Sequence, residues 1–483
     1  MIARIRQWLR RFAIALALVL VTFLCVRAYD AWRAPPLKLW HTFVPHELDA
    51  KAIDAADWQS WLAAEDSVFA EVSARVTGKL PAEDQLRSNR YFAGGLMYPA
   101  KLTTDWNRSY VLMPKGPLRG AVVLLHGLTD SPYSLRHIAA EYRARGFVAV
   151  GVRMPGHGTV PGALTMVRWE DWLAAARLAV RHARELAGPG TPLHVVGYSN
   201  GGALALKYTL DSLDDPTLAH PDQLVLVSPM IGITSMARFA GVLGWPAVFP
   251  AFAKAAWLDT LPEYNPFKYN SFPVNGARQS SQLVRAVERQ IAADFADGKL
   301  GNLPPVLTFQ SVLDATVSTR AVFDAFYRYL PDKHGHEVVL FDRNRRSMVE
   351  ALVRPALVEP LTGILPETPR NYSVTLVTNG TGGGTEARTF PSGSRSVTLR
   401  PLAEAYPPDL YSLSHVSLPF PPTDGLYGYG QPDIYFGINL GTVSARGERG
   451  TLIVNAETLM RASCNPFFEY LLLRIDATLV ASR

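Results

Sequence analysis

The chain predicts an α/β fold: a doubly wound, mostly parallel sheet with a helical cap and a small β insertion. Three observations predict it. Between residues 109 and 341, short apolar runs of strand length alternate with amphipathic stretches of helix length, the rhythm of a sheet with helices on both faces. The runs are almost continuously apolar, as strands covered on both sides require. One of them, Leu193-His194-Val195-Val196, leads directly into Gly197-Tyr198-Ser199-Asn200-Gly201 and then into Gly202-Ala203-Leu204-Ala205-Leu206. That is a strand, a tight turn and a helix start.

Taken in order, the strands are expected at 109–113, 121–125, 147–152, 193–196, 224–227, 306–309 and 337–341. Helices are expected between them at 134–145, 169–186, 202–212 and 319–330. Residues 34–90 read as a Pro-containing linker followed by helical patterns around 52–74, with no chemical motif. Two segments interrupt the rhythm. Residues 231–303 are rich in aromatics and prolines (Phe239, Trp245, Pro246, Phe249, Pro250, Phe252, Trp257) and continue into the helix-like 282–295. Standing between two sheet strands near the glycine-flanked serine, this segment reads as a cap, or as a helical subdomain that simply packs. Residues 343–408 contain 371–377, the run Asn379-Gly380-Thr381-Gly382-Gly383-Gly384 and 396–399, and read as a β-hairpin or small β insertion. No lysine follows that glycine run, so it is a turn and not a phosphate loop.

At 483 residues and 48% hydrophobic content the chain can bury a large core, and 19% charged residues exclude wholesale disorder. The net charge of +6 is partly local, because Arg4, Arg6, Arg10 and Arg11 precede the first acidic residue, Asp30. With no basic run interleaved with aromatics elsewhere, no nucleic-acid partner is expected. Those arginines lead into the apolar stretch 12–26, which ends at Arg27, so residues 1–33 read as a signal peptide or signal anchor. Val26-Arg27-Ala28 is a poor cleavage site and Leu24 before Cys25 argues against a lipoprotein box, which favours an anchor. The remainder, 34–483, would then lie across the membrane, on the periplasmic or extracellular side, or be secreted if the leader is cleaved. Cys25 and Cys464 are the only cysteines, so neither a disulfide framework nor a cysteine metal site is expected.

The pentapeptide around Ser199 has the G-x-S-x-G form of a nucleophile elbow, in which small flanking residues let a strained turn expose the serine at the carboxyl end of the sheet. A serine hydroxyl needs a base, and the base needs an acid to orient it, here in the chain order Ser, acid, His. His334, His336 and His415 follow a suitable acid. The first two stand at the amino end of strand 337–341, the wrong edge, which leaves His415. Asp314, just past the strand 306–309, is the expected acid, with Asp342 the runner-up; the long interval between Asp314 and His415 is unusual. Donors for an oxyanion are expected from the backbone N–H of Asn200 and of Leu128, in the loop Leu125-His126-Gly127-Leu128-Thr129-Asp130-Ser131. His126 is read as a brace for this loop and not as a catalyst.

Together these residues resemble the α/β-hydrolase superfamily, and within it the monoacylglycerol lipase, lysophospholipase and carboxylesterase branch of serine aminopeptidase-like hydrolases. The likeness rests on His126-Gly127-Leu128-Thr129-Asp130-Ser131, Pro155-Gly156-His157-Gly158, Gly197-Tyr198-Ser199-Asn200-Gly201-Gly202, Asp314-Ala315-Thr316-Val317 and Ser414-His415. The resemblance implies the oxyanion loop, a structural turn, the nucleophile, the acid and the base at those positions. His157 is a marker of the family; from its own surroundings in the sequence it would pass for a surface residue. Arg153 departs from the family, which often has an acidic residue there, and 343–408 and the tail 431–483 are additional. The expected activity is hydrolysis of a carboxylic ester, lysophospholipid or monoacylglycerol first, with no metal or organic cofactor. A serine aminopeptidase, an acyltransferase and a silent membrane-anchored scaffold are the alternatives.

Overall fold

The computed structural model describes residues 2–33, 36–232, 250–314, 316–331, 335–347, 370–408, 410–432, 434–441 and 463–481. The N-terminal apolar stretch lies in α1 (Ile2–Arg33), which is followed by α2 (Leu39–Thr42), α3 (Ala50–Ala55) and α4 (Trp58–Arg75). The helical patterns around 52–74 fall in α3 and α4, and Asp49 and Asp57 each cap a start. Their carboxylates accept from the Ala52 and Ser60 N–H groups.

Ten strands form one sheet: β1 (Tyr110–Leu112), β2 (Gly120–Leu125), β3 (Phe147–Val152), β4 (Leu193–Tyr198), β5 (Gln223–Val227), then, after a separate antiparallel ribbon of β6 (Trp257–Asp259) and β7 (Phe272–Pro273), β8 (Val306–Ser311), β9 (Glu337–Phe341), β10 (Ser373–Asn379), β11 (Thr385–Phe390) and β12 (Thr398–Leu402). Their order is β1-β3-β2-β4-β5-β8-β9-β10-β11-β12. From β3 to β10 neighbours run parallel, and the antiparallel pairings are confined to β1 at one edge and β11 and β12 at the other.

The expected helices form α5 (Arg136–Ala144), α6 (Trp169–Ala187), α7 (Asn200–Asp214), α8 (Val274–Ala296) and α9 (Thr319–Ala325), and α10 (Phe468–Ala481) ends the described chain. Strand alternation sorts the core into two layers. Ala121, Val123 and Leu125 of β2 join residues of α6, α7, α8 and α9, whereas Val122 and Leu124 join residues of α5 and α10. Each fully buried Val, Leu, Ile or Phe contributes about 1.5–3 kcal/mol. Phe468, Leu471 and Ile475 of α10 are such residues, so the tail, additional by its sequence, is integral to the second face of the sheet. Asp424 ties the approach to α10 back onto α5. It accepts from Arg136, His137 and Tyr133, and the two bases hold its carboxylate below the usual range although burial alone would raise it.

Where it is described, the 343–408 segment holds β10–β12, which extend the main sheet. β10 adds to β9 in parallel, β11 and β12 continue as a meander, and the glycine run is the β10–β11 turn, closed by the Gly380 N–H on the Gly384 carbonyl at 2.8 Å. In the 231–303 segment, Phe239, Trp245, Pro246 and Phe249 lie outside the described residues. Its long helix α8 buries Leu283, Val284, Val287 and Ile291 in the same core as α6 and α7. The first turns of α8 reach the carboxyl end of the sheet, where Ser280 bonds Asn200 and Gly276 faces Leu128.

Candidate active site

Ser199 stands between β4 and α7 with φ 54 and ψ -118, left-handed backbone that a side chain adopts at a cost of about 1–3 kcal/mol. The turn holds that strain with four backbone hydrogen bonds. The Ser199 N–H donates to Val227 O at 3.0 Å, and its carbonyl accepts from Gly202 N and Met230 N, each at 2.9 Å, and from Ala203 N at 3.4 Å. The flanking glycines are steric necessities. A Cβ on Gly197 would lie 2.3 Å from Gly201 O, and one on Gly201 would lie 1.9 Å from Leu125 O. Gly201→Ala is therefore expected to lower the unfolding free energy by about 3 kcal/mol, through overpacking against backbone that cannot yield. Thermal or denaturant unfolding measures it, beside Gly116→Ala as a control where an added Cβ meets nothing.

The structure brings Ser199, His415 and Asp314 into one hydrogen-bonded chain. His415 Nε2 is 2.9 Å from Ser199 Oγ, and His415 Nδ1 is 2.8 Å from Asp314 Oδ2. All three residues are buried. With Nδ1–H donating to the carboxylate, Nε2 is left as an acceptor for the serine hydroxyl. The carboxylate is fixed at its other oxygen too, since Asp314 Oδ1 accepts from Thr316 N and Val317 N, both at 2.9 Å. Gln310, four residues earlier near the end of β8, donates to Oδ2 at 3.1 Å. It directly follows the apolar run 306–309, and nothing in the sequence marks it for this role.

His415 reaches the serine although β10, β11 and β12 intervene in the chain. Its loop crosses back over the carboxyl ends of the strands, where Ser311 Oγ donates to Leu413 O at 2.9 Å and Asn344 Nδ2 donates to Leu410 O at 2.9 Å. Asp342 does not join the relay. Its carboxylate accepts from Arg343 N, Arg345 Nε and Thr378 Oγ1. His336 lies at the opposite end of the sheet, just before β9, and His334 is outside the described residues.

Facing the serine is the loop after β2. A Cβ on Gly127 would come within 3.2 Å of Ser199 Cβ, so glycine there allows the close approach. Thr129 has φ 60, and its carbonyl accepts from Tyr269 N at 2.7 Å. Neither the Leu128 nor the Asn200 N–H has a hydrogen-bond partner among the described residues. His126 braces this loop: its Nδ1–H donates to Gly127 O at 2.9 Å and Nε2 accepts Met154 N–H at 3.0 Å. Burial keeps its ring neutral, with the pKa lowered to about 3. His157 is not a surface residue. It is fully buried, edge-on to His126 at 5.1 Å and to Trp172 at 5.7 Å. Ser280 of α8, unsuspected from the sequence, donates to Asn200 Oδ1 at 2.7 Å and so joins α8 to the residue after the serine.

The sequence profile of the family described as "Serine aminopeptidase, S33" matches residues 116–327, which include Ser199 and Asp314 and end before His415. A thermostable monoacylglycerol lipase from Bacillus sp. (strain H-257) is 25% identical over 177 residues, 36% of this chain and 65% of the lipase. The chain thus spans less than two thirds of that relative's length. Among solved structures, Est1E from Butyrivibrio proteoclasticus with ferulic acid bound aligns with 49% of this chain and 85% of its own, at 21% identity and a TM-score of 0.35. A soluble variant of monoglyceride lipase from Saccharomyces cerevisiae aligns with 48% of this chain and 82% of its own, at 14% identity and a TM-score of 0.38. The profile match runs along the strands and the turn that carry the serine; the fold is that of an α/β-hydrolase, and the chain is similar to the serine aminopeptidase-like branch that includes monoacylglycerol lipases and esterases.

Proposed function

We propose that this protein hydrolyses carboxylic esters through an acyl-enzyme on Ser199. The relay of 2.9 Å from Ser199 Oγ to His415 Nε2 and 2.8 Å from His415 Nδ1 to Asp314 carries the reading. As Oγ attacks the carbonyl carbon, Nε2 takes its proton, and Asp314 stabilises the imidazolium that forms. The carbonyl oxygen gains charge in the tetrahedral intermediate, where the Leu128 and Asn200 N–H groups receive it; one such donor is worth about 10²–10³ in kcat. Collapse expels the alcohol, which takes the proton from Nε2. Water then repeats the sequence on the acyl group and frees Ser199.

A lipid-like ester, monoacylglycerol or lysophospholipid, is the proposed substrate. The relative named a monoacylglycerol lipase supports it, as does the apolar character of Met230, whose N–H bonds Ser199 O, and of Leu128 and Phe272 beside the first turn of α8. The window Arg4–Val26 of α1 is long and apolar enough to cross a membrane, with mean hydropathy 2.2 and none of it buried. On this reading α1 anchors the hydrolase, exported, beside its substrate. p-Nitrophenyl esters from acetate to palmitate test the substrate class. Turnover is expected to peak at octanoate or longer, and Ser199-dependent turnover confined to acetate would discard the lipid. The family's description favours one second reading, a serine aminopeptidase. Aminoacyl p-nitroanilides in the same assay decide it, since esters are expected to be cleaved and anilides spared.

A further inference from the structure

Arg153, at the end of β3, is fully buried, and its guanidinium is bound by two carboxylates from the N-terminal helical segment. Glu47 takes it in bidentate fashion, at 2.8 Å to Nη1 and 2.9 Å to Nη2, and Glu65 of α4 accepts from Nε at 3.1 Å. The same arginine donates from Nη1 to the His157 carbonyl at 3.1 Å, and Glu47 Oε1 also accepts the Gly156 N–H at 2.8 Å. The next residues of the turn are held from the same segment, Gly158 O by Arg90 at 3.2 Å and Thr159 O by Tyr91 at 3.1 Å. The turn 153–159 is thus clamped mainly by residues that lie between α1 and β1. Gly156 and Gly158 have φ of 80 and 75, so this backbone is one that needs holding.

The turn in turn supports the loop opposite the serine. Met154 N–H donates to His126 Nε2, which fixes the tautomer in which Nδ1–H donates to Gly127 O. The His157 ring packs on that imidazole from the side. A continuous path of hydrogen bonds and ring contact therefore runs from Glu47 through Arg153 and the turn to His126, Gly127 and Leu128. We infer that Glu47 and Arg153 are positioning residues for the Gly127–Leu128 loop, so that the segment following α1 is a working part of the active site and not a linker. Neither residue touches substrate; both act through the loop. The inference rests on the functional reading above only for its kinetic consequence.

The test uses the full chain in detergent and three variants. Glu47→Gln keeps the shape and loses the charge. Arg153→Lys keeps the charge and loses the fork, which an ammonium cannot reproduce. Asp54→Asn removes a different ion pair of the same segment, the one with Arg177 at 2.6 Å, remote from the turn. Glu47→Gln is expected to lower kcat for a p-nitrophenyl ester by about 10- to 100-fold, the scale of a displaced donor, with KM unchanged. Amide hydrogen exchange is expected to quicken in 126–131 and 153–158. Asp54→Asn should leave both readouts at wild-type values. If Glu47→Gln matches Asp54→Asn in kcat and in exchange, the inference is overturned. If the wild type cleaves no ester through Ser199, the functional reading has failed separately, and the exchange measurement still decides the inference. Should Glu47→Gln fail to fold, Arg153→Lys carries the same expectation and the same refutation.

Discussion

Replacing Ser199 by Ala is expected to lower kcat for ester hydrolysis by about 10⁶-fold, the size of effect seen when a serine nucleophile is removed from an intact relay. The substitution deletes only Oγ. His415 and Asp314 keep their own bond at 2.8 Å, and the turn keeps its four backbone bonds, so the fold is expected to stand. On the proposed mechanism the lost atom is the one that would hold the acyl group, and no other hydroxyl or thiol bonds to His415 Nε2 among the described residues. Steady-state kinetics on a p-nitrophenyl ester, with an unfolding curve for each protein, separates lost chemistry from lost structure. A variant that kept even a tenth of the wild-type kcat would remove Ser199 from the mechanism.

Asp314→Asn is expected to cost about 10⁴-fold in kcat while leaving KM and stability near wild type. The reason is tautomeric. Asp314 Oδ2 accepts from His415 Nδ1, which leaves Nε2 free to take the serine proton. An Asn amide in that place can turn its NH₂ toward Nδ1, and the imidazole then carries its proton on Nε2, where a base is needed. The two backbone donors on Oδ1, Thr316 N and Val317 N, favour that orientation because they bind the remaining carbonyl oxygen. Asp342→Asn is the matched control. Its carboxylate serves Arg345 and Thr378 away from His415, and kcat should stay within about twofold of wild type. Equal losses in the two variants would sink the assignment of Asp314.

The turn at Ser199 was legible because its constraints are local. Two glycines with no room for a Cβ, an apolar strand before them and a helix former after them suffice to specify a strand-to-helix turn. Asp314 was legible from its place just beyond an apolar run, and His415 from chain order once histidines at the wrong strand end were set aside. The long interval between them had no reading in the sequence, because its cause is tertiary. β10, β11 and β12 extend the sheet past β9, and the chain must return across the strand ends before it reaches the serine. The same holds for His157, whose neighbours in sequence are polar or small while its neighbours in space are His126 and Trp172. Glu47, in the stretch before α3, and Glu65, in α4, give no sign in the sequence of a buried arginine 106 and 88 residues onward. Periodicity reports which face of an element is covered; it does not report what covers it.

The most direct test of the central claim is covalent. The full chain is treated with a fluorophosphonate, its intact mass is recorded, and the adduct is mapped by peptide digestion beside Ser199→Ala. The account predicts one adduct per chain, on the peptide that contains Ser199, and none in the variant. An unlabelled wild type, or an adduct that persists in Ser199→Ala, would contradict it.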